Sequence, residues 1–374
     1  QGKIEQKVAI DGTVDALELA SLWPGLGGKL QGKISASGDR LKPSVKADLN
    51  GSAIAFNDFS TESLTLLADI QQGGEKPSSL TLKTTGGAGP GVDDGSVDLQ
   101  LDGTLSKHSL ALLAKTTEQS AELKLQGALS GADWKGTLDS SQLAYQEIKL
   151  QLQSPTAIAW QSDLAQASVA AHCWLRDSAT LCLKNDATLS AQKGDAMVVL
   201  SNLDLSDLNP LLPENAKLFG LLTANIDGQW AAGVSPKANI KTEIKELKLQ
   251  GTDPQGERVD INFTAAQLDA MLNENQGNLD LVLSSPEQGD TRIQTSFDPK
   301  NKTLSGDLSL QGFLLKPLQP MLPMLDTLDG EISANGEFSG TIEDPQFKGR
   351  IQLKNPALAG AEIPLTIDGG DLKI

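Results

Sequence analysis

Side chains that could do chemistry are few in this chain of 374 residues, which has two histidines and two cysteines. His108 follows Ser106 and Lys107, where a turn or surface role is expected rather than catalysis. His172 adjoins Cys173, and successive residues of a strand point to opposite faces, so the pair is not placed to share a metal ion. The histidines therefore predict neither a catalytic base nor a metal site.

Cys173 and Cys182 lie close together in the sequence. Their spacing does not fit the Cys-x-x-Cys motif of redox and zinc sites. On two adjacent antiparallel strands they could pair across a short hairpin, and we expect a disulfide there, which implies an oxidising compartment. The alternative is two buried free thiols.

The carboxylates form no tight constellation. Many of them adjoin glycine, as in Asp11-Gly12, where turn chemistry explains them. Asp93 and Asp94 lack the alternating ligand spacing of a calcium loop. The glycine-rich run 86–91 lacks the lysine and the following helix of a phosphate loop, so it is expected to be a flexible connection. We expect no enzyme active site and no cofactor, although the chain could carry bound phospholipid or detergent.

Composition and charge exclude further classes of function. The formal net charge is −17, which disfavours binding to nucleic acid or to an anionic membrane surface. Aromatic residues make up only 4% of the chain, whereas enzymes usually draw on aromatics to fill cores and shape pockets. The acidic excess is most simply a solvated surface that resists aggregation.

Apolar and polar residues alternate with a period of two along most of the chain, which is typical of strands with one dry and one wet face. The neighbours Gln100, Lys124, Lys149, Asp280, Ser309 and Gln352 are predicted to face water. The in-phase apolar positions predicted to line the dry face are Leu99, Leu101, Leu123, Leu125, Ile148, Leu150, Leu279, Leu281, Leu283, Leu308, Leu310, Ile332, Ile351 and Leu353.

Two kinds of repeat organise this pattern. Triplets of the form Gly-x-apolar recur inside the strands, and a row of such glycines would bend or bulge the sheet. Short apolar segments that end at proline precede several of these strands and predict short helices at 19–24, 208–213 and 318–323. A further helix is predicted at 265–272.

The sequence therefore predicts an all-β fold, an elongated, curved and mainly antiparallel repeat sheet with a few short helices. Those helices are too short to cover the apolar face, so either a second sheet covers it or the sheet folds into a taco-shaped groove with an apolar occupant. We expect four segments in one continuous body. They are 1–27 with a strand pair and helix, 28–202 with the cysteine hairpin, and 203–312 and 313–374, each opened by a helix.

Three stretches resemble the TamB family, AsmA-like envelope proteins akin to the bridge-like lipid transfer proteins. They are residues 101–110, the pair 125–129 and 134–138, and the cysteine segment 173–183. Repeated Leu-x-Gly-x-Ile-x-Ala phrases at 30–43 and 328–345 extend the likeness over nearly the whole chain. The order and density of these motifs, rather than any one of them, carry the resemblance.

The resemblance implies a periplasmic protein whose parent is anchored in the inner membrane of a Gram-negative bacterium. It also implies a TamA-like outer-membrane barrel as partner, bound through a region outside this chain. The expected function is a groove that moves phospholipid between the two membranes, and the alternative is a scaffold for the assembly of outer-membrane β-barrels or autotransporters. Because the chain begins and ends within the alternating pattern, we expect an internal piece of a longer protein.

A repeat sheet grows in one dimension, because each unit contacts only its neighbours. Small-angle scattering should therefore give a radius of gyration well above the roughly 21 Å expected of a compact chain of this length. A value near 21 Å would contradict the elongated fold.

Overall fold

The computed structural model describes residues 7–21, 25–213, 215–252, 258–322, 325–341, 343–360, 367–369 and 371–373. The chain forms two compact units, Gln1–Arg176 and Asp177–Ile374. Strands dominate both units, and their pairings are antiparallel, which confirms the predicted all-β class. The predicted division into four segments stays a prediction.

The first unit holds thirteen described strands and two 3-10 helices, η1 (Leu19–Ser21) and η2 (Gln72–Gly74). The strands are β1 (Lys7–Ala16), β2 (Leu26–Asp39), β3 (Pro43–Phe56), β4 (Phe59–Ile70), β5 (Ser78–Gly89), β6 (Val92–Thr104), β7 (Lys107–Lys115), β8 (Gln119–Ser130), β9 (Asp133–Tyr145), β10 (Ile148–Leu152), β11 (Thr156–Gln161), β12 (Gln166–Val169) and β13 (His172–Arg176). From β1 to β10 each strand pairs with the next along the chain, as a meander, and β9 also pairs with β11.

The second unit holds fourteen described strands and two 3-10 helices, η3 (Leu205–Leu211) and η4 (Lys316–Met321). The strands are β14 (Ala179–Leu183), β15 (Ala187–Ser190), β16 (Lys193–Asp204), β17 (Ala216–Ala231), β18 (Val234–Thr252), β19 (Arg258–Asn262), β20 (Ala265–Leu272), β21 (Gly277–Ser285), β22 (Gly289–Asp298), β23 (Thr303–Leu314), β24 (Thr327–Thr341), β25 (Pro345–Ala359), β26 (Ile367–Asp368) and β27 (Asp371–Lys373). Consecutive pairing again prevails, with β18 pairing both β19 and β20.

The helix predicted at 265–272 is wrong, because this segment is strand β20. The segment is rich in Ala, Leu, Gln and Met, residue types that favour a helix when no tertiary contacts act on them. However, Leu268, Ala270 and Leu272 alternate with more exposed residues, and Leu268 pairs with Leu281 of β21. Pairing on both sides of the strand overrides the local helical preference.

The flexible connection predicted at 86–91 is also wrong. Strand β5 continues to Gly89 and β6 begins at Val92, so the run forms the end of a hairpin with a two-residue turn at Pro90 and Gly91. Gly91 has a φ of 71°, a conformation that glycine adopts without strain. Gly87 lies opposite Gly95, and the two backbones approach closely there.

The three helices predicted before proline are present as 3-10 helices: η1, η3 and η4. Residues 22–24 of the first and 323 of the last lie outside the described residues. In η3, Asp204 caps the start by accepting a hydrogen bond from the Ser206 amide, and Leu205 is buried. No helix among the described residues is long and apolar enough to cross a membrane.

The strand that follows each of these helices carries a glycine bulge. Gly28, Gly220 and Gly330 have positive φ and lie at register shifts in β2, β17 and β24. On the facing strand, a non-glycine residue with positive φ lies opposite each bulge. These residues are Ala53, Glu246 and Asn355. The repeated sequence phrases therefore encode a repeated bend that changes the direction of two paired strands together.

We expect Gly330→Ala to lower the free energy of unfolding by about 2 kcal/mol, because of backbone strain and a steric clash. Gly330 has a φ of +115°, and a Cβ there would lie 2.9 Å from Pro356 Cα. Gly228→Ala is the matched control, because a Cβ at Gly228 meets nothing within 4 Å. Urea unfolding measures both, and equal effects would contradict the role of the bulge.

Candidate functional site

Leucines form continuous rows across one face of the first unit. Directly paired residues of antiparallel strands lie on the same face. One row runs from Leu80 through Leu101, Leu110 and Leu125 to Leu138. A parallel row joins Leu66, Leu82, Leu99, Leu112 and Leu123. The predicted lining residues of β6 and β8 are thereby brought together on one face.

Ile148 and Leu150 reach the same face through strand β9. Leu150 pairs with Leu143, which in turn pairs with Ala121, two residues before Leu123. Ile148 pairs with Tyr145 at the same end of the hairpin. All six residues predicted for this unit therefore share a face.

The eight predicted residues of the second unit also share one face. Leu281 pairs with Ile293, which pairs with Leu308. The remaining residues join neighbouring positions of these rows through the direct pairs Leu279–Ala270, Leu283–Ala266, Leu310–Ala334, Ala334–Ile351 and Ile332–Leu353. We call these leucine-rich surfaces of the two units the apolar faces. That they line a groove stays a prediction.

The apolar faces are only half-buried. All fourteen predicted lining residues have intermediate exposure, whereas a residue between two packed layers is usually fully buried. The apolar faces thus lack the complete cover that a sandwich core would have.

Full burial in the second unit concentrates instead at the strand ends near η3 and η4. Leu205, Ile261, Gln288, Gln319 and Leu328 are buried there. Helix η4 contacts β18 and β19 as well as β24, although these strands are not neighbours in the sheet. The helices therefore close one end of the strands and leave the middle of the apolar face half-exposed.

The opposite faces carry the charge. Lys83 and Asp98 form an ion pair of 3.0 Å across β5 and β6, and the hydrogen bond from Lys83 lowers the pKa of the Asp98 carboxyl. Arg292 similarly pairs with Asp280 at 2.8 Å. Of the positions predicted to face water, Gln100, Lys124 and Lys149 are exposed, while Asp280, Ser309 and Gln352 are half-exposed.

Two hollows differ in chemistry according to the face on which they lie. On the apolar face of the first unit, a hollow of about 500 Å³ is lined by Val97, Ala114, Ala121 and Leu143 among mostly small residues. On the charged face of the second unit, a hollow of about 950 Å³ is lined largely by polar side chains. The leucine rows lead into the first hollow, which makes the apolar face the better candidate site for an apolar ligand.

Trp134 lies flat on the apolar face of the first unit. A Cβ at Gly127 or Gly136 would lie 2.5 or 2.6 Å from its indole ring, so the ring rests directly on the bare backbone of two strands. The indole Nε1 donates a hydrogen bond of 2.8 Å to His108 Nε2. Because an indole N–H can only donate, the imidazole proton is on Nδ1, which donates to the Thr104 carbonyl at 3.1 Å.

His108 is therefore not the turn or surface residue predicted from the sequence. It is half-buried in strand β7, and both ring nitrogens hold structural hydrogen bonds. Sequence reasoning missed the pair, although Gly127 and Gly136 in consecutive strands signal a space that a large ring fills.

The same arrangement recurs in the second unit with phenylalanine. Phe347 lies over Gly336 and Gly349, and Phe338 lies over Gly306. These aromatics share the apolar face with Leu308 and Ile351. Trp134, Phe338 and Phe347 therefore cover glycine backbone on the apolar faces.

The two cysteines, Cys173 and Cys182, are disulfide-bonded, which confirms that prediction. Among the described residues, no group of three or more His, Cys, Asp or Glu side chains comes together as a metal site.

Comparison of the sequence with known proteins places this chain in a family. The model of the TamB N-terminal domain matches residues 1–353. A similar curated protein is the translocation and assembly module subunit TamB of Haemophilus influenzae (strain ATCC 51907 / DSM 11121 / KW20 / Rd), which is 23% identical over 383 aligned residues. That match covers 96% of this chain and 28% of the relative. No solved structure matches the chain significantly.

Replacing the Trp134 ring, which covers Gly127 and Gly136, should lower the stability of the protein. We expect Trp134→Ala to lower the free energy of unfolding by about 2 kcal/mol, since it uncovers two strands and removes the His108 hydrogen bond. Trp160→Ala is the control, because Trp160 is the cross-strand neighbour but is 42% exposed. Denaturant unfolding should show a clearly smaller loss for the control, and the reverse order would contradict the covering role.

Proposed function

Because the chain belongs to the TamB family, we propose that its apolar faces hold the acyl chains of phospholipids moving between the inner and outer membranes. The observation that carries the proposal is the unbroken, uncharged leucine rows, which remain half-exposed. A face of this kind is costly in water unless an apolar ligand covers it.

The energetics of acyl chains favour such a surface. A chain of ~16 carbons in water forgoes about 12 kcal/mol, at ~0.8 kcal/mol per methylene. A path for lipid must therefore stay apolar without a gap, and it must lack polar groups that would hold a lipid in place. Within its own unit, each of the rows through Leu101 and Leu281 is apolar and uncharged, which supports the proposal, and Trp134 and Phe347 lie over glycine backbone on the same faces.

The setting and partners of this function are part of the proposal. The curated relative is a subunit of a translocation and assembly module. We place this chain in the periplasm, within a parent anchored in the inner membrane and working with a TamA-like outer-membrane barrel. The barrel would bind outside this chain, and the role is non-catalytic, with phospholipid as the cargo.

A second candidate function follows from the words "translocation and assembly" in the relative's name. An exposed sheet edge can template another strand by β-augmentation. Within the described residues β1 pairs on one side only, with β2. A scaffold for outer-membrane strands would use such an edge rather than the apolar face, so the two functions predict contacts at different residues.

A photo-crosslinking residue at Leu125 should capture phospholipid in living cells, and one at the adjacent Lys124 should not. The two side chains lie on opposite faces of β8, and only Leu125 continues a leucine row. Mass spectrometry of the adducts measures the difference. Leu281 and Asp280 provide the same test in the second unit.

The controls are internal to each pair, because the two positions share a strand and differ in face. Equal labelling at Leu125 and Lys124, or none at either, would contradict the lipid groove. Capture of unfolded outer-membrane strands at β1 without lipid at Leu125 would favour the scaffold.

A further inference from the structure

The connections between strands β1 and β10 of the first unit differ in charge at the two ends of the strands. In a meander, successive connections alternate between the two ends of the strands. The connections 40–42, 71–77, 105–106 and 131–132 lie at one end and contain three basic residues and one acidic residue. The connections 57–58, 90–91, 116–118 and 146–147 lie at the other end, together with residues 17–21 and 25 between β1 and β2, and these residues include four acidic and no basic side chains.

We name two groups of exposed side chains from these ends. The basic rim is Arg40, Lys42, Lys76 and Lys107, the last being the first residue of β7, and the exposed Asp39 at the end of β2 lies at the same end of the strands. The acidic rim is Asp58, Glu118 and Glu147, and the exposed Lys115 at the end of β7 lies at that end. Lys42 is bonded to Glu75. Arg40, Lys76 and Lys107 form no ion pair with any residue that the structure describes. In a chain of net charge −17, a local basic excess of this kind is a distinct feature.

An apolar hollow of about 240 Å³ lies directly beside the basic rim. Its lining includes Leu101, Leu105, Leu129 and Trp134. Its lining also includes Gly73, where a Cβ would lie 3.3 Å from Lys42 Cα. Leu101, which belongs to one of the leucine rows, lines this hollow, so positive charge and apolar surface meet at one end of the strands.

We propose that the basic rim holds the phosphate of a phospholipid whose acyl chain lies along the leucine rows. This inference rests on the proposed function and adds the orientation of the ligand. The charges carry it, because an anionic headgroup is attracted to exposed Lys and Arg and repelled by the acidic rim. Every lipid in this unit then enters with its headgroup at the same end of the strands.

The exposure of these side chains suits passage of a lipid rather than storage. Exposed charges interact weakly with an anion and are screened by salt. Arg40, Lys76 and Lys107 are exposed on separate connections or strand starts, so they form an attractive edge and not a closed phosphate pocket. A headgroup can exchange one cation for the next while its acyl chain stays on the leucine rows.

Charge reversal of the rim tests the orientation. The purified protein is loaded at low salt with phosphatidylglycerol or with diacylglycerol of the same acyl chains, and bound lipid is counted by native mass spectrometry. Arg40→Glu, Lys76→Glu and Lys107→Glu combined should lower phosphatidylglycerol loading by about tenfold. Loading of diacylglycerol, which has no phosphate, should not change, and added salt should reduce the difference.

The matched control reverses the acidic rim with Asp58→Lys, Glu118→Lys and Glu147→Lys, which should not lower phosphatidylglycerol loading. Neutral variants with Gln at Arg40, Lys76 and Lys107 should give an intermediate loss. Circular dichroism checks that each variant is folded. Equal loss of loading for both lipids, or no loss of phosphatidylglycerol loading, would contradict the proposed orientation but not the proposed function. A wild-type protein that loads neither lipid would overturn the proposed function and this inference together.

Discussion

The exposure of an apolar sheet face to water is the constraint on which the rest of each unit depends. Strict alternation along the strands gathers the leucines on one side, and direct cross-strand pairing aligns them into rows such as Leu80, Leu101, Leu110 and Leu125. In most sheet proteins a second layer then covers such rows. Here the predicted lining residues stay half-buried, so part of the apolar surface remains accessible to solvent.

Several secondary features follow from keeping that surface open. Large rings in the middle of the face would block it, and Trp134 and Phe347 instead lie over bare glycine backbone. Buried charge would hold ligands or destabilise the sheet, and the ion pairs Lys83–Asp98 and Arg292–Asp280 lie on the opposite faces. Solubility then depends on those polar faces and on the acidic excess of the chain.

Most of the strands, and the residues that share a face, can be predicted from the sequence alone, because a period of two can be seen in a single chain. Leu99, Leu125, Leu281 and Leu308 were identified in this way. The same reasoning failed at 265–272, where alternation was present but helix-favouring residue types outweighed it. The local sequence does not show which strands pair, and strand pairing determines the conformation of residues 265–272.

Contacts that join distant residues were the part that the sequence did not reveal. The bond between His108 and Trp134 spans three strands and depends on glycines in β8 and β9. The glycine run 86–91 is predicted to be a flexible connection, because the sequence does not show that β5 and β6 stay paired as far as Gly89 and Val92. The disulfide was predicted correctly, since Cys173 and Cys182 are near one another and the chain has no other cysteine.

The nearest-neighbour pairing of strands has a consequence for how the chain becomes folded. From β1 to β9 each strand finds its partner in the strand made just before it. Loop-closure entropy is small for such local pairings, and low contact order favours rapid folding. A chain of this kind can be ordered strand by strand from its N-terminal side as it emerges, with one growing edge to protect from aggregation at any moment.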